Sequence, residues 1–112
     1  MKSFLPKEWW IHQADYKHYD GMDDFGSDSY LDPHTIDYCR FDNSTVYSRD
    51  TQANRIQANG VLFVCAIRNS YLPELTERSK VVVNGKEYTI QKVIELPFPT
   101  SDDIHHYELE VV

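Results

Sequence analysis

Ser79-Lys80-Val81-Val82-Val83-Asn84-Gly85-Lys86-Glu87-Tyr88-Thr89-Ile90 is the stretch that decides the fold class. Asn84-Gly85 stands between two β-rich runs, and a type I′ turn needs two residues that tolerate positive φ. An antiparallel hairpin follows. Downstream, the chain closes on His105-His106-Tyr107-Glu108-Leu109-Glu110-Val111-Val112. There His105, Tyr107, Leu109 and Val111 oppose His106, Glu108, Glu110 and Val112, an inside/outside alternation that puts the C-terminus in the sheet. Pro97 and Pro99 make the intervening connector irregular.

Working outward, Glu87 to Leu96 reads as a long strand with Tyr88, Ile90, Ile94 and Leu96 on one face, interrupted by Lys92. Pro73 with Glu74 to Arg78 has the composition of one helical turn. Val61-Leu62-Phe63-Val64-Cys65-Ala66-Ile67, within Ala58 to Ile67, predicts a central strand covered on both faces. Thr35 to Asp42 alternates without a clean apolar face. Glu8 to Tyr19 carries Trp9, Trp10, Ile11, Tyr16 and Tyr19, enough aromatic content for a first strand. Two polar stretches separate these elements. Asp20 to Asp32 has turn chemistry, with Gly21, Gly26 and five aspartates. Asn43 to Gln57 is an unusually long polar connection, of the kind that tends to carry function. The sum is about six strands with little helix, an all-β chain suited to a small antiparallel barrel or sandwich.

At 112 residues the chain predicts a single domain over 1–112, with residues 1–7 a flexible N-terminal arm. Its hydrophobic fraction of 41% and aromatic fraction of 13% argue for a folded chain. No apolar run reaches the roughly 20 residues of a membrane helix. Met1 to Glu8 does not read as a signal peptide, which points to the cytosol as the site of synthesis. A net charge of -7 excludes an adhesive nucleic-acid binder with a basic footprint. It does not exclude a protein past which DNA slides. Cys39 and Cys65 read as free, buried thiols in a reducing compartment.

No constellation of catalysis is legible. Asp20, Asp23, Asp24, Asp28 and Asp32 invite a calcium reading, but starting at Asp20 puts Met22 third, and starting at Asp23 puts Phe25 third. They read as a solvated turn. His12, His18, His34, His105 and His106 follow no zinc spacing, and adjacent His105 and His106 should point to opposite faces of a strand. A nucleophile elbow and a glycine-rich phosphate loop are both absent. Arg49 and Arg55 have the charge to grip phosphate, yet isolated loop arginines read first as solvated. The expectation is therefore no catalytic residue, no metal and no cofactor. Adjacent Trp9 and Trp10 would place one indole inward and one outward on a strand, and an outward tryptophan marks an interface.

The order and spacing of four stretches carry a resemblance: Asn43 to Ser48, Ala58 to Val64, Ser79 to Ile94 and Tyr107 to Val112. From about Trp9 to the end, the chain resembles the minor capsid proteins of long-tailed phages and prophages of Gram-positive bacteria. That resemblance implies a β-barrel structural protein of the virion neck, synthesised in the host cytoplasm. It further implies a head-closure ring below the portal and adaptor, which retains packaged DNA and docks the tail. Its partners would be copies of itself, portal, adaptor and tail proteins, and DNA passing without sequence-specific binding. By strand order, the loop with Tyr47, Arg49, Asp50 and Arg55 corresponds to the channel-narrowing loop of stopper proteins. Acidic walls repel phosphate, so Asp20, Asp23, Asp24, Asp28 and Asp32 suit a surface near DNA or a partner. A ring contact is heterologous and needs two different patches; Trp9, Trp10, Tyr16 and Tyr19 are candidates for one. Competing readings are an adaptor or tail-completion protein of the same neck, and a small ligand- or carbohydrate-binding barrel.

Overall fold

The computed structural model describes residues 7–43, 46–47, 56–69 and 71–112. Among these residues a 3-10 helix, η1 (Lys7–Trp9), precedes ten strands: β1 (His12–Lys17), β2 (Tyr19–Met22), β3 (Asp28–Tyr30), β4 (His34–Asp42), β5 (Val46–Tyr47), β6 (Ile56–Ala58), β7 (Gly60–Cys65), β8 (Lys80–Val83), β9 (Lys86–Pro97) and β10 (Ile104–Val111). Six of them close an antiparallel barrel in the order β1-β4-β7-β10-β9-β8. The remaining four form two ribbons, β2-β3 and β5-β6.

The β8–β9 hairpin has the geometry its residues dictate. Asn84 and Gly85 take φ of 53° and 78°, and Val83 pairs with Lys86 across the turn. Closure removes free sheet edges, so every barrel strand has two hydrogen-bonded neighbours. The interior is filled evenly. Ala14 and Tyr16, Ile36 and Cys39, Leu62 and Val64, Val81 and Val83, Tyr88 and Ile90, Leu109 and Val111 supply two side chains per strand. The barrel is a packed core with no bore through it.

Within the barrel, three β-bulges account for positions where strict alternation fails. His12 and Ala14 of β1 face Cys39 and Ile36 of β4, leaving Asp37 and Tyr38 opposite Gln13. Tyr38 takes φ 52° there. The extra residue switches faces, so Ile36 and Cys39, three apart, both reach the core. This is why β4 shows no clean apolar face in the sequence. In β9, Lys92 and Ile90 face consecutive Glu110 and Val111, so Gln91 is the extra residue. Lys92 thereby stays exposed while Val93 packs against the core. In β10, Ile104 and His106 face consecutive Pro97 and Leu96, and His105 is the extra residue.

Several expectations are corrected. The stretch Glu8 to Tyr19 is a 3-10 turn followed by β1 and the start of β2, with breaks at Trp10-Ile11 and at His18. Asp20 to Asp32 is a paired hairpin and not an open loop. Asn43 to Gln57 contains β5 and the first two residues of its partner β6. Residues 71–78 form no helix; residues 71–76 have no regular structure and Glu77-Arg78 make a turn in which Arg78 takes φ 72°. Of the arm expected over 1–7, residues 1–6 lie outside the described residues, and Lys7 opens η1.

Candidate interaction surfaces

The β2-β3 hairpin grows from a polar knot at the end of β1. Tyr16 is 1% exposed, and its hydroxyl lies 2.9 Å from the Glu74 carbonyl oxygen and 3.1 Å from Ser79 Oγ. The Thr76 N–H donates to that hydroxyl at 3.0 Å. Ser79, itself fully buried, accepts the Tyr19 N–H at 2.9 Å. The knot thus joins β1, the 71–79 connection and the first residue of the hairpin. Across the hairpin base the Leu31 N–H donates to the His18 carbonyl at 2.9 Å. The Tyr19 and Tyr30 rings meet edge to face at 5.7 Å, with the Arg78 guanidinium over Tyr19 and the Lys80 ammonium over Tyr30.

At the far end Asp23 builds the turn. Its Oδ1 accepts the N–H groups of Phe25 and Ser27, both at 2.9 Å. Its own N–H donates to the Ser27 carbonyl at 2.7 Å, and the Gly26 N–H returns to the Asp23 carbonyl at 3.0 Å. Gly26 supplies the positive φ, 78°, that the reversal needs. Asp20, Asp24, Asp28 and Asp32 are exposed along the same arm, and the Tyr19 hydroxyl donates to Asp28 at 3.2 Å. Phe25 stands at the tip, 94% exposed. In the sequence it stands as one residue of a polar turn. The available signal was the contrast itself, a large aromatic set among Asp23, Asp24, Gly26 and Ser27.

A second cluster covers the outside of β4, β7 and β10. Trp9 packs edge-on against Trp10 at 4.7 Å and against Phe63 at 5.5 Å, beneath the Arg40 guanidinium at 4.8 Å. Trp10 is 5% exposed and lies beside His105 and His106. The outer cover expected for β7 is thus supplied at Phe63 by η1. Of the four aromatics nominated for an interface, Trp10 and Tyr16 are buried within the single chain, Trp10 against Trp9 and Tyr16 in the barrel core. Trp9 and Tyr19 keep part of their surface.

His105 and His106 overturn the expectation that adjacent histidines must diverge. The bulge at His105 brings their Nδ1 atoms to 2.7 Å. One ring donates and the other accepts, so the contact requires at least one neutral imidazole. Burial lowers the affinity of both for protons, reinforced by Arg68 at His105 and by His105 at His106. Cys39 and Cys65 are free thiols, and burial, with Asp37 nearby, pushes the Cys39 thiol up to about 12, which makes it unreactive. Among the described residues, no three His, Cys, Asp or Glu side chains converge as metal ligands, and no helix is long and apolar enough to cross a membrane.

An open groove of about 700 Å³ lies at the head of β1, lined by Trp10, Ile11, His12, Gln13, Asp37, Tyr38 and Asn84. Its one carboxylate, Asp37, is held by the Gln13 amide. Of the proposed channel loop, Tyr47 belongs to β5, while Arg49, Asp50 and Arg55 lie outside the described residues.

A family profile described as minor capsid protein matches residues 6–111. A protein of Lactococcus phage LL-H, described as uncharacterized protein ORF5, is 31% identical over 80 residues, 69% of this chain and 68% of that protein. No solved structure matches.

Proposed function

Since the chain belongs to the minor capsid protein family of phages, a structural component of the virion, we propose that it is a head-closure protein of the neck. Copies of the barrel form a ring below the portal and adaptor, retain packaged DNA and present a face to the tail. The observation that carries this reading is a closed, solid barrel from which an acidic hairpin projects. A barrel without edges cannot assemble by strand addition, so its contacts must run through arms and outer faces. A filled barrel cannot itself conduct DNA, so any channel must lie between copies. The net charge of -7 suits the wall of such a channel, because phosphate is repelled and slides.

Within this reading the segment with Tyr47, Arg49, Asp50 and Arg55 narrows the channel. Trp9 and Tyr19 contribute to contacts between copies, and Asp20, Asp23, Asp24, Asp28 and Asp32 face a partner or DNA. Heterologous contacts between two unlike patches close such a ring. The protein assembles in the host cytoplasm and resides in the virion neck, without a catalytic role. A ligand-binding barrel has weaker support, because Trp10, the largest aromatic of the groove, is nearly buried.

Cryo-electron microscopy of the intact virion neck tests the proposal. A ring of this barrel directly below the portal or its adaptor is the expected result. Density confined to the tail terminus would move the assignment to tail completion, and density only in the capsid shell would defeat it.

A further inference from the structure

We propose that the β2-β3 hairpin is a docking arm, and that Phe25 at its tip enters an apolar socket rimmed by lysine or arginine on a neighbouring virion protein. The inference rests on the reading of the chain as a neck protein and adds the chemistry of one partner.

Three observations converge on the arm. The first is exposure along its length: Phe25 at 94%, Met22 at 63% and Leu31 at 50%. A turn among polar residues gains nothing in the free chain from so exposed an aromatic, whereas a buried aromatic anchor dominates many interfaces. The second is order. Isolated two-stranded hairpins are marginal in water, yet this one is tied at its base by the Tyr19 N–H to buried Ser79 and by Leu31 to His18. Its tip is held by the bonds that Asp23 makes to Phe25 and Ser27. An anchor presented on a formed turn loses little conformational freedom on docking. The third is charge. Residues 19–33 hold five aspartates and no lysine or arginine. Carboxylates around an aromatic tip complement a basic rim, and they repel DNA. They also disfavour a second copy of this chain as the occupant, since its net charge is -7.

The test uses full-length protein and phage particles assembled without it, as purified heads and purified tails. Wild-type chain is expected to bind one of the two, and more weakly as salt rises. Phe25→Ala should weaken binding by about tenfold to a hundredfold, while Phe25→Trp should retain most of it. The triple change Asp20→Asn, Asp24→Asn and Asp28→Asn should weaken binding at low salt and flatten the salt dependence. Because the Phe25 side chain is exposed, both Phe25 variants should melt with the wild type, which separates docking from folding. Equal binding by Phe25→Ala would overturn the arm while leaving the neck assignment intact. Failure of the wild-type chain to bind either particle would overturn both. Self-association in sedimentation that Phe25→Ala abolishes would overturn the choice of partner in favour of a second copy.

Discussion

Tyr16 shows how one hydroxyl can serve both core and surface. Its ring fills the barrel beside Val81, and its oxygen organises the chain from Glu74 to Ser79, from which the hairpin is hung. Removing the oxygen leaves the half-buried Thr76 N–H without its acceptor and the Glu74 carbonyl without its donor, while Ser79 keeps the Tyr19 N–H and Thr76 Oγ1. Tyr16→Phe should therefore cost about 1–3 kcal/mol, read as a lowered midpoint in urea with an unchanged slope. An unchanged midpoint would mean that water replaces the hydroxyl. The residue is legible in the sequence as a β-prone aromatic but not as a core anchor, because its partners lie about 60 residues away.

At the scale of elements, bulges and close approaches decide what each strand presents. β7 pairs with β4, and at its first residue Gly60 lies against the Phe41 ring. A Cβ at Gly60 would fall 2.7 Å from Phe41 Cζ and 2.9 Å from the Asp42 carbonyl oxygen. The ring can swing aside, but the backbone oxygen is fixed by the β4-β7 pairing of Asp42 with Val61. Gly60→Ala should destabilise the barrel by about 1–3 kcal/mol through overpacking, measurable as a drop in thermal midpoint. A neutral substitution would show that the two strands can separate there without cost. The strands themselves were readable from β-branched and aromatic runs; the bulges at Tyr38, Gln91 and His105 were not. A bulge is an agreement between two strands about register, and neither strand encodes it alone.

For the whole molecule, the pair of buried His105 and half-buried His106 makes stability depend on pH. Both imidazoles bind protons less readily in the fold than their ordinary value of 6.5. Unfolded chains therefore take up more protons than folded ones as pH falls through that value, and the fold loses stability on the acid side. Urea midpoints should fall between about pH 7.5 and about pH 5.5, and His106→Gln should flatten that slope. A slope unchanged by the substitution would place the titration elsewhere. Glu108 acts with the opposite sign at lower pH, since burial, with Glu110 beside it, raises its carboxyl above 4.5. On this scale the sequence alone determined the all-β class, the location of five barrel strands and the β8–β9 turn. Those depend on residue type and on neighbours close in the chain: a turn needs Asn84-Gly85, and a strand needs a run such as Val61 to Cys65. Only the tertiary structure decided the barrel order, the burial of Trp10 and Tyr16, the meeting of His105 with His106, and the exposure of Phe25. Each of those is a relation between segments distant in sequence, set by closure of the sheet, which selects one register among many and thereby which side chains are spent inside and which are left for partners.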